Sequence, residues 1–231
     1  MSILVLASLG GLASFFSTSL GSVLTQVISQ SSHLKNLHMS MDFTLGVMLS
    51  AAAFLIAPEI MSNSSLSLLG LFAGLISILL LHKVIHHHAH SEHKSTYLMI
   101  AALLFHNFPE GMGAGASLAG MELNMALSIQ GALAMQNIVE GALLTMLLTS
   151  LGVGHKWAVI GGISSGAVEL SGGVLSGLIL EQTQASLPFL LSLAGGAMAG
   201  SVVMEILEQK KMVVRDFVGG MVLIPLLNQL L

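Results

Sequence analysis

The chain has no cysteine, one tryptophan, one tyrosine and only 8% charged residues over 231 positions. Without cysteine there can be neither disulfides nor thiolate metal ligands. The scarcity of charge excludes an ordinary soluble domain, in which about a quarter of residues are charged. The first apolar stretch lacks a basic start and is too long for the core of a cleavable leader, so it is expected to be a first span. What fills the chain instead is apolar sequence, 54% of the total, in runs long enough to cross a bilayer. An all-α, polytopic membrane protein is therefore expected, forming one transmembrane domain over residues 1–231.

Eight spans can be drawn, at about 3–29, 42–60, 65–84, 96–119, 125–149, 157–180, 187–208 and 214–231. At about 1.5 Å per residue the first seven are long enough for about 30 Å of hydrocarbon. The eighth is marginal, because Arg215 and Asp216 intrude at its start. The seven basic residues are Lys35, Lys83, Lys94, Lys156, Lys210, Lys211 and Arg215, all in or beside the odd-numbered connections. The even-numbered connections carry Glu59, Glu122 and Glu181 and no base. The positive-inside rule then makes the odd connections cytoplasmic and both termini non-cytoplasmic, which an even number of spans satisfies. Tyr97 and Trp157 fall at cytoplasmic edges of their spans, where amphipathic rings are favoured. Glu122, Glu181 and Asp42 read as surface groups.

Within this apolar background one stretch stands out, Phe105-His106-Asn107-Phe108-Pro109-Glu110-Gly111. A weaker copy follows in the next span, Met135-Gln136-Asn137-Ile138-Val139-Glu140-Gly141. Each copy places its first polar residue four before its glutamate, so on a helix the two share one face. The asparagine is rotated about 100° from the first residue, which opens a neighbouring binding position. The two spans run in opposite directions yet both centre their motif, which suggests an inverted pseudo-two-fold axis in the membrane plane. Pro109 removes a backbone hydrogen bond and frees the carbonyl of Phe105. Gly111, Gly113 and Gly115 suit close helix packing rather than substrate contact.

A charge at the bilayer centre costs about 3 kcal/mol. Glu110, Glu140 and Glu169 all lie near the centres of their spans, with no Lys or Arg at similar depth. Such carboxylates must be protonated, hydrated or neutralised by a bound cation. His106 offers a neutral imidazole nitrogen to a transition metal, and Gln136, Asn107 and Asn137 offer carbonyl oxygens. A single buried amide is commonly helix glue. His106, Glu110, Gln136, Glu140 and Glu169 together are a poor match to that reading.

These strings, with Val168-Glu169-Leu170-Ser171-Gly172-Gly173 and a His-bearing third connection, resemble the Zrt-/Irt-like (ZIP) metal transporters. The resemblance spans nearly the whole chain. It implies uptake of zinc first, or Fe2+, Mn2+ or Cd2+, into the cytoplasm through a homodimer. It also implies a two-metal site. His106, Glu110, Gln136 and Glu140 would hold one ion, and Asn107, Glu110, Asn137, Glu140 and Glu169 the other, with Glu110 and Glu140 bridging. The family's second string often has His and Pro where this chain has Gln136 and Val139. ZIP architecture further implies that spans four and five belong to a unit that moves against a scaffold.

The third connection, residues 82–95, is expected to be a cytoplasmic loop whose His86, His87, His88, His90 and His93 could take up departing ions. Glu205 could line the exit. The expected partners are divalent ions, the lipid bilayer and a second copy of the chain, with no nucleic acid and no prosthetic group. The expected location is the inner, cytoplasmic membrane of a prokaryote. A metal-gated channel or sensor is the alternative without covalent chemistry. An intramembrane metalloprotease is the enzymatic one, but its His-Glu-x-x-His signature is absent. No enzyme is expected.

Overall fold

Long apolar runs with no water to satisfy their backbones must close their hydrogen bonds within the segment, and helices do this. A computed structural model describes residues 1–30, 41–62, 65–88, 94–208 and 212–230, and every regular element among them is helical. The α-helices are α1 (Ile3–Gln30), α2 (Met41–Met61), α3 (Ser65–His88), α4 (Lys94–Gly120), α5 (Leu123–Ser150), α6 (His155–Gln182), α7 (Leu187–Glu208), α8 (Val214–Met221) and α9 (Leu223–Leu230). A short 3-10 turn, Gln184–Ser186, leads into α7. Six of these segments are long and apolar enough to cross a membrane: Ile3–Thr25, Asp42–Met61, Ser65–Val84, Leu123–Ser150, His155–Gln182 and Gln184–Leu207. α4, 27 residues long with His106, Asn107 and Glu110 near its middle, is not among the segments found in the described residues.

Three expectations need correction. The last stretch is two eight-residue helices rather than one continuous helix. Pro225 has no N–H for the Met221 carbonyl and its ring crowds that position, so the helix breaks at Val222. The His-rich loop is shorter than expected, because α3 runs on through His88. Residues 82–88 contain neither Gly nor Pro, so nothing there stops the helix. His86, His87 and His88 are thus on the end of α3, while His90 and His93 lie outside the described residues. Finally, Asp42 is buried rather than on the surface. Its Oδ2 accepts the backbone N–H of Val213 at 2.8 Å, at the N-cap position of α8. Glu122 and Glu181 are exposed, as expected, and Glu122 caps α5 by accepting from the N–H groups of Asn124 and Met125.

The helices pack in two manners. α2, α7 and α9 meet the adjoining faces of α4 and α5 through bulky apolar side chains, including Met48, Leu55, Leu133, Leu191, Met198 and Ile224. α1, α4, α5 and α6 meet instead through small and hydroxylated residues. Between lipid-embedded helices such residues allow close backbone approach, and packing rather than water exclusion holds the helices together. A Cβ on Gly111 would strike the main-chain carbonyl of Glu169 in α6, and one on Gly141 would strike that of Thr18 in α1. The glycine that follows each motif glutamate is therefore where a neighbouring backbone is seated.

The α5–α6 connection is set by a Schellman turn. Val153 N–H bonds the Leu148 carbonyl, Gly152 N–H bonds that of Thr149, and Gly152 adopts φ +85°. This turn returns the chain so that Glu169 on α6 comes back to the level of α5's motif.

Gly111→Ala is expected to destabilise the bundle by about 1–3 kcal/mol through overpacking. Gly131→Ala is the control, since its added Cβ meets only Leu227 Cδ1 at 3.4 Å. Thermal unfolding of the two variants in detergent, with only the first displaced downward, is the expected outcome.

Candidate metal site

All seven residues singled out on α4, α5 and α6 are buried. Glu110, Gln136, Asn137 and Glu169 have no accessible surface, and Asn107, Glu140 and His106 are 2%, 5% and 6% exposed. α4 carries His106, Asn107 and Glu110, α5 carries Gln136, Asn137 and Glu140, and α6 carries Glu169. The four-residue spacing works as expected, since Gln136 Nε2 donates to Glu140 Oε1 one turn on at 2.9 Å.

Hydrogen bonds divide these residues into two groups. In the first, Gln136 Nε2 also donates to Glu110 Oε1 at 2.9 Å, and His106 Nε2 lies 3.3 Å from Glu140 Oε2. His106, Glu110 and Glu140 each offer a ligand atom, all within 4.8 Å of one another. In the second, Glu169 is the hub. Its Oε1 accepts from Asn107 Nδ2 at 3.0 Å and from Thr18 Oγ1 at 2.6 Å, and its Oε2 accepts from Asn137 Nδ2 at 2.9 Å. Asn107 Nδ2 also donates to Ser165 Oγ at 2.6 Å. One carboxylate on α6 thus joins α1, α4 and α5.

Among the described residues, nine buried side-chain atoms lack a hydrogen-bond partner, and four of them belong to this set: Asn107 Oδ1, Glu110 Oε2, Gln136 Oε1 and Asn137 Oδ1. All four are oxygens that accept and cannot donate when the carboxylate is ionised. Buried acceptors without donors are costly, and a cation is the kind of partner that relieves them. An imidazole beside carboxylates and amide oxygens is a donor set suited to borderline first-row divalent ions.

Glu205 belongs to neither group; it lies part-buried near the end of α7. Thr18 and Ser165 were not expected. Ser165 stands four before Glu169, the same spacing as the two motif pairs, and that spacing was a readable signal. Thr18 is one of several hydroxyl residues in α1, and nothing local distinguishes it.

Removal of the hub has a metal-independent consequence. Glu169→Ala leaves Asn137 Nδ2 and one hydrogen of Asn107 Nδ2 buried without an acceptor, each at about 1–3 kcal/mol, while Thr18 Oγ1 keeps the Ser14 carbonyl. Metal-free protein carrying Glu169→Ala should therefore unfold at a lower temperature than the Glu169→Gln variant, which keeps one oxygen in place.

No family model matches the chain. It is 31% identical over 111 residues to the zinc transporter GufA of Myxococcus xanthus, a stretch covering 48% of this chain and 44% of that protein. It is 28% identical over 223 residues to the zinc transporter ZIPB of Bordetella bronchiseptica, covering 88% of this chain and 72% of that protein. The chain therefore spans less than half the length of GufA and nearly three quarters of ZIPB. Both of these proteins, to which the chain is similar, are named as zinc transporters.

Proposed function

We propose that this protein carries divalent transition-metal ions, zinc first, across a membrane into the cytoplasm, through a binding site set between α4, α5 and α6. The observation that supports this most is the buried set itself. Three carboxylates lie among apolar helices with His106, among the described residues, as their only ionisable neighbour of potential positive charge, and the nearest Lys or Arg in sequence stand at helix ends. A visiting cation neutralises such a group, and its departure restores the cost, so the ion is held without being trapped. The relatives GufA and ZIPB are named as zinc transporters, which favours transport over catalysis.

In this reading His106, Glu110, Gln136 and Glu140 hold one ion. Asn107, Asn137 and Glu169 hold a second position, with Glu110 and Glu140 reaching toward both. The bundle crosses the inner membrane of a prokaryote eight times, α8 and α9 together making the last crossing, with both termini outside the cytoplasm. The histidines at the end of α3 and Glu205 on α7 receive ions on the cytoplasmic side. A second copy of the chain completes the assembly.

Glu110→Ala and Glu140→Ala are expected to abolish zinc uptake into proteoliposomes while the protein still inserts and keeps its helix content. Normal flux in both variants would reject the site. Protons and metal compete for the same carboxylates, so acidifying the side from which zinc enters should slow uptake. Flux that saturates with zinc supports a carrier, whereas conductance near diffusion rates would convert the reading to a channel.

A further inference from the structure

We infer that Thr18, through Glu169, and Ser165, directly on Asn107, are positioning residues that fix which end of the Asn107 and Asn137 amides faces the metal. The inference rests on the metal-site reading above. An ionised carboxylate only accepts hydrogen bonds, so an amide touching it must present its NH2 end. Asn107 Nδ2 donates to Glu169 Oε1 at 3.0 Å and to Ser165 Oγ at 2.6 Å, which commits both of its hydrogens. Asn137 Nδ2 donates to Glu169 Oε2 at 2.9 Å. In each amide the oxygen is the end left over, and each oxygen is buried without a partner.

The two ends of an amide are close in size, so packing alone does not choose between them. Turned the other way, Asn107 and Asn137 would aim N–H groups at an incoming cation and oppose its binding. Glu169 makes the choice for both, one oxygen for each amide. Thr18 Oγ1 holds Glu169 Oε1 from α1 at 2.6 Å, and Ser165, one turn before Glu169 on α6, takes the second hydrogen of Asn107. Both hydroxyl residues are buried, Thr18 at 1% and Ser165 at 2% exposure, so water does not substitute for them. They act behind the ligands, as partners that orient metal ligands commonly do.

The test is zinc binding by equilibrium dialysis, with zinc alone and the full chain purified in detergent. Ser165→Ala is expected to weaken binding by about 10- to 100-fold. In an Asn107→Asp background the same change should cost no more than about twofold, a loss within the error of additivity, because a carboxylate shows oxygen whichever way it turns. Thr18→Val should weaken binding comparably, and Thr18→Ser should restore it. An equal loss on Ser165→Ala in both backgrounds would overturn the inference, as would Thr18→Ser binding no better than Thr18→Val. The Thr18 pair decides the matter alone if Ser165→Ala does not fold. Absence of saturable zinc binding in the unaltered chain would instead reject the metal site itself, and this inference with it.

Discussion

A carboxylate sunk among apolar helices has two ways to be tolerated: a ring of neutral donors or a positive ion. This bundle shows the first of these in full at Glu169 and only in part at Glu110. Glu169 takes the first, with Thr18, Asn107 and Asn137 filling its two oxygens. Glu110 is left half-served, with Gln136 on one oxygen and nothing on the other. Unpartnered oxygens remain on both sides: Glu110 Oε2 and Gln136 Oε1 where His106 and Glu140 converge, and Asn107 Oδ1 and Asn137 Oδ1 around Glu169. The rest of the architecture serves to bring these four helices close enough for side chains as short as Thr, Ser and Asn to reach one another.

That closeness comes from what the helices lack. Bulky side chains between α1, α4, α5 and α6 would hold the backbones 8–10 Å apart, as in ordinary helix packing, at about the reach of longer residues only. Gly111 and Gly141 let the main chains of α6 and α1 approach the level of the glutamates that precede them. The apolar core on the other side, around Met48, Leu133, Leu191 and Met198, is packed through bulky side chains, and Asp42 of α2 is its buried carboxylate among the described residues. Polar and apolar packing are thus segregated, and α4 and α5 belong to both.

Much of this was legible in the sequence because helical periodicity fixes which residues share a face. The pairs His106–Glu110 and Gln136–Glu140 follow from a spacing of four, and the depth of Glu169 follows from its place in an apolar run. Ser165 obeys the same rule and was readable by it. Thr18 was not, because its partner is 151 residues away and α1 offers other hydroxyls with equal claim. Asp42 failed for the same reason. A lone acid at the start of a helix looks solvated until the chain end of α8 comes back 171 residues later to donate Val213 N–H. The extent of α3 was misjudged because composition marks histidine as loop-like, while the backbone of residues 82–88 contains no residue that ends a helix. Pro225 did carry its signal, since a proline breaks the hydrogen-bond ladder four residues earlier whatever surrounds it.

Only Met121 and Glu122 separate α4 from α5. That brevity has a consequence for how the protein is made. α4 carries His106, Asn107 and Glu110 near its middle, and it is synthesised before α5. A two-residue link delivers α5 directly behind it, so the pair can enter the bilayer as a hairpin with Gln136 and Glu110 already facing each other.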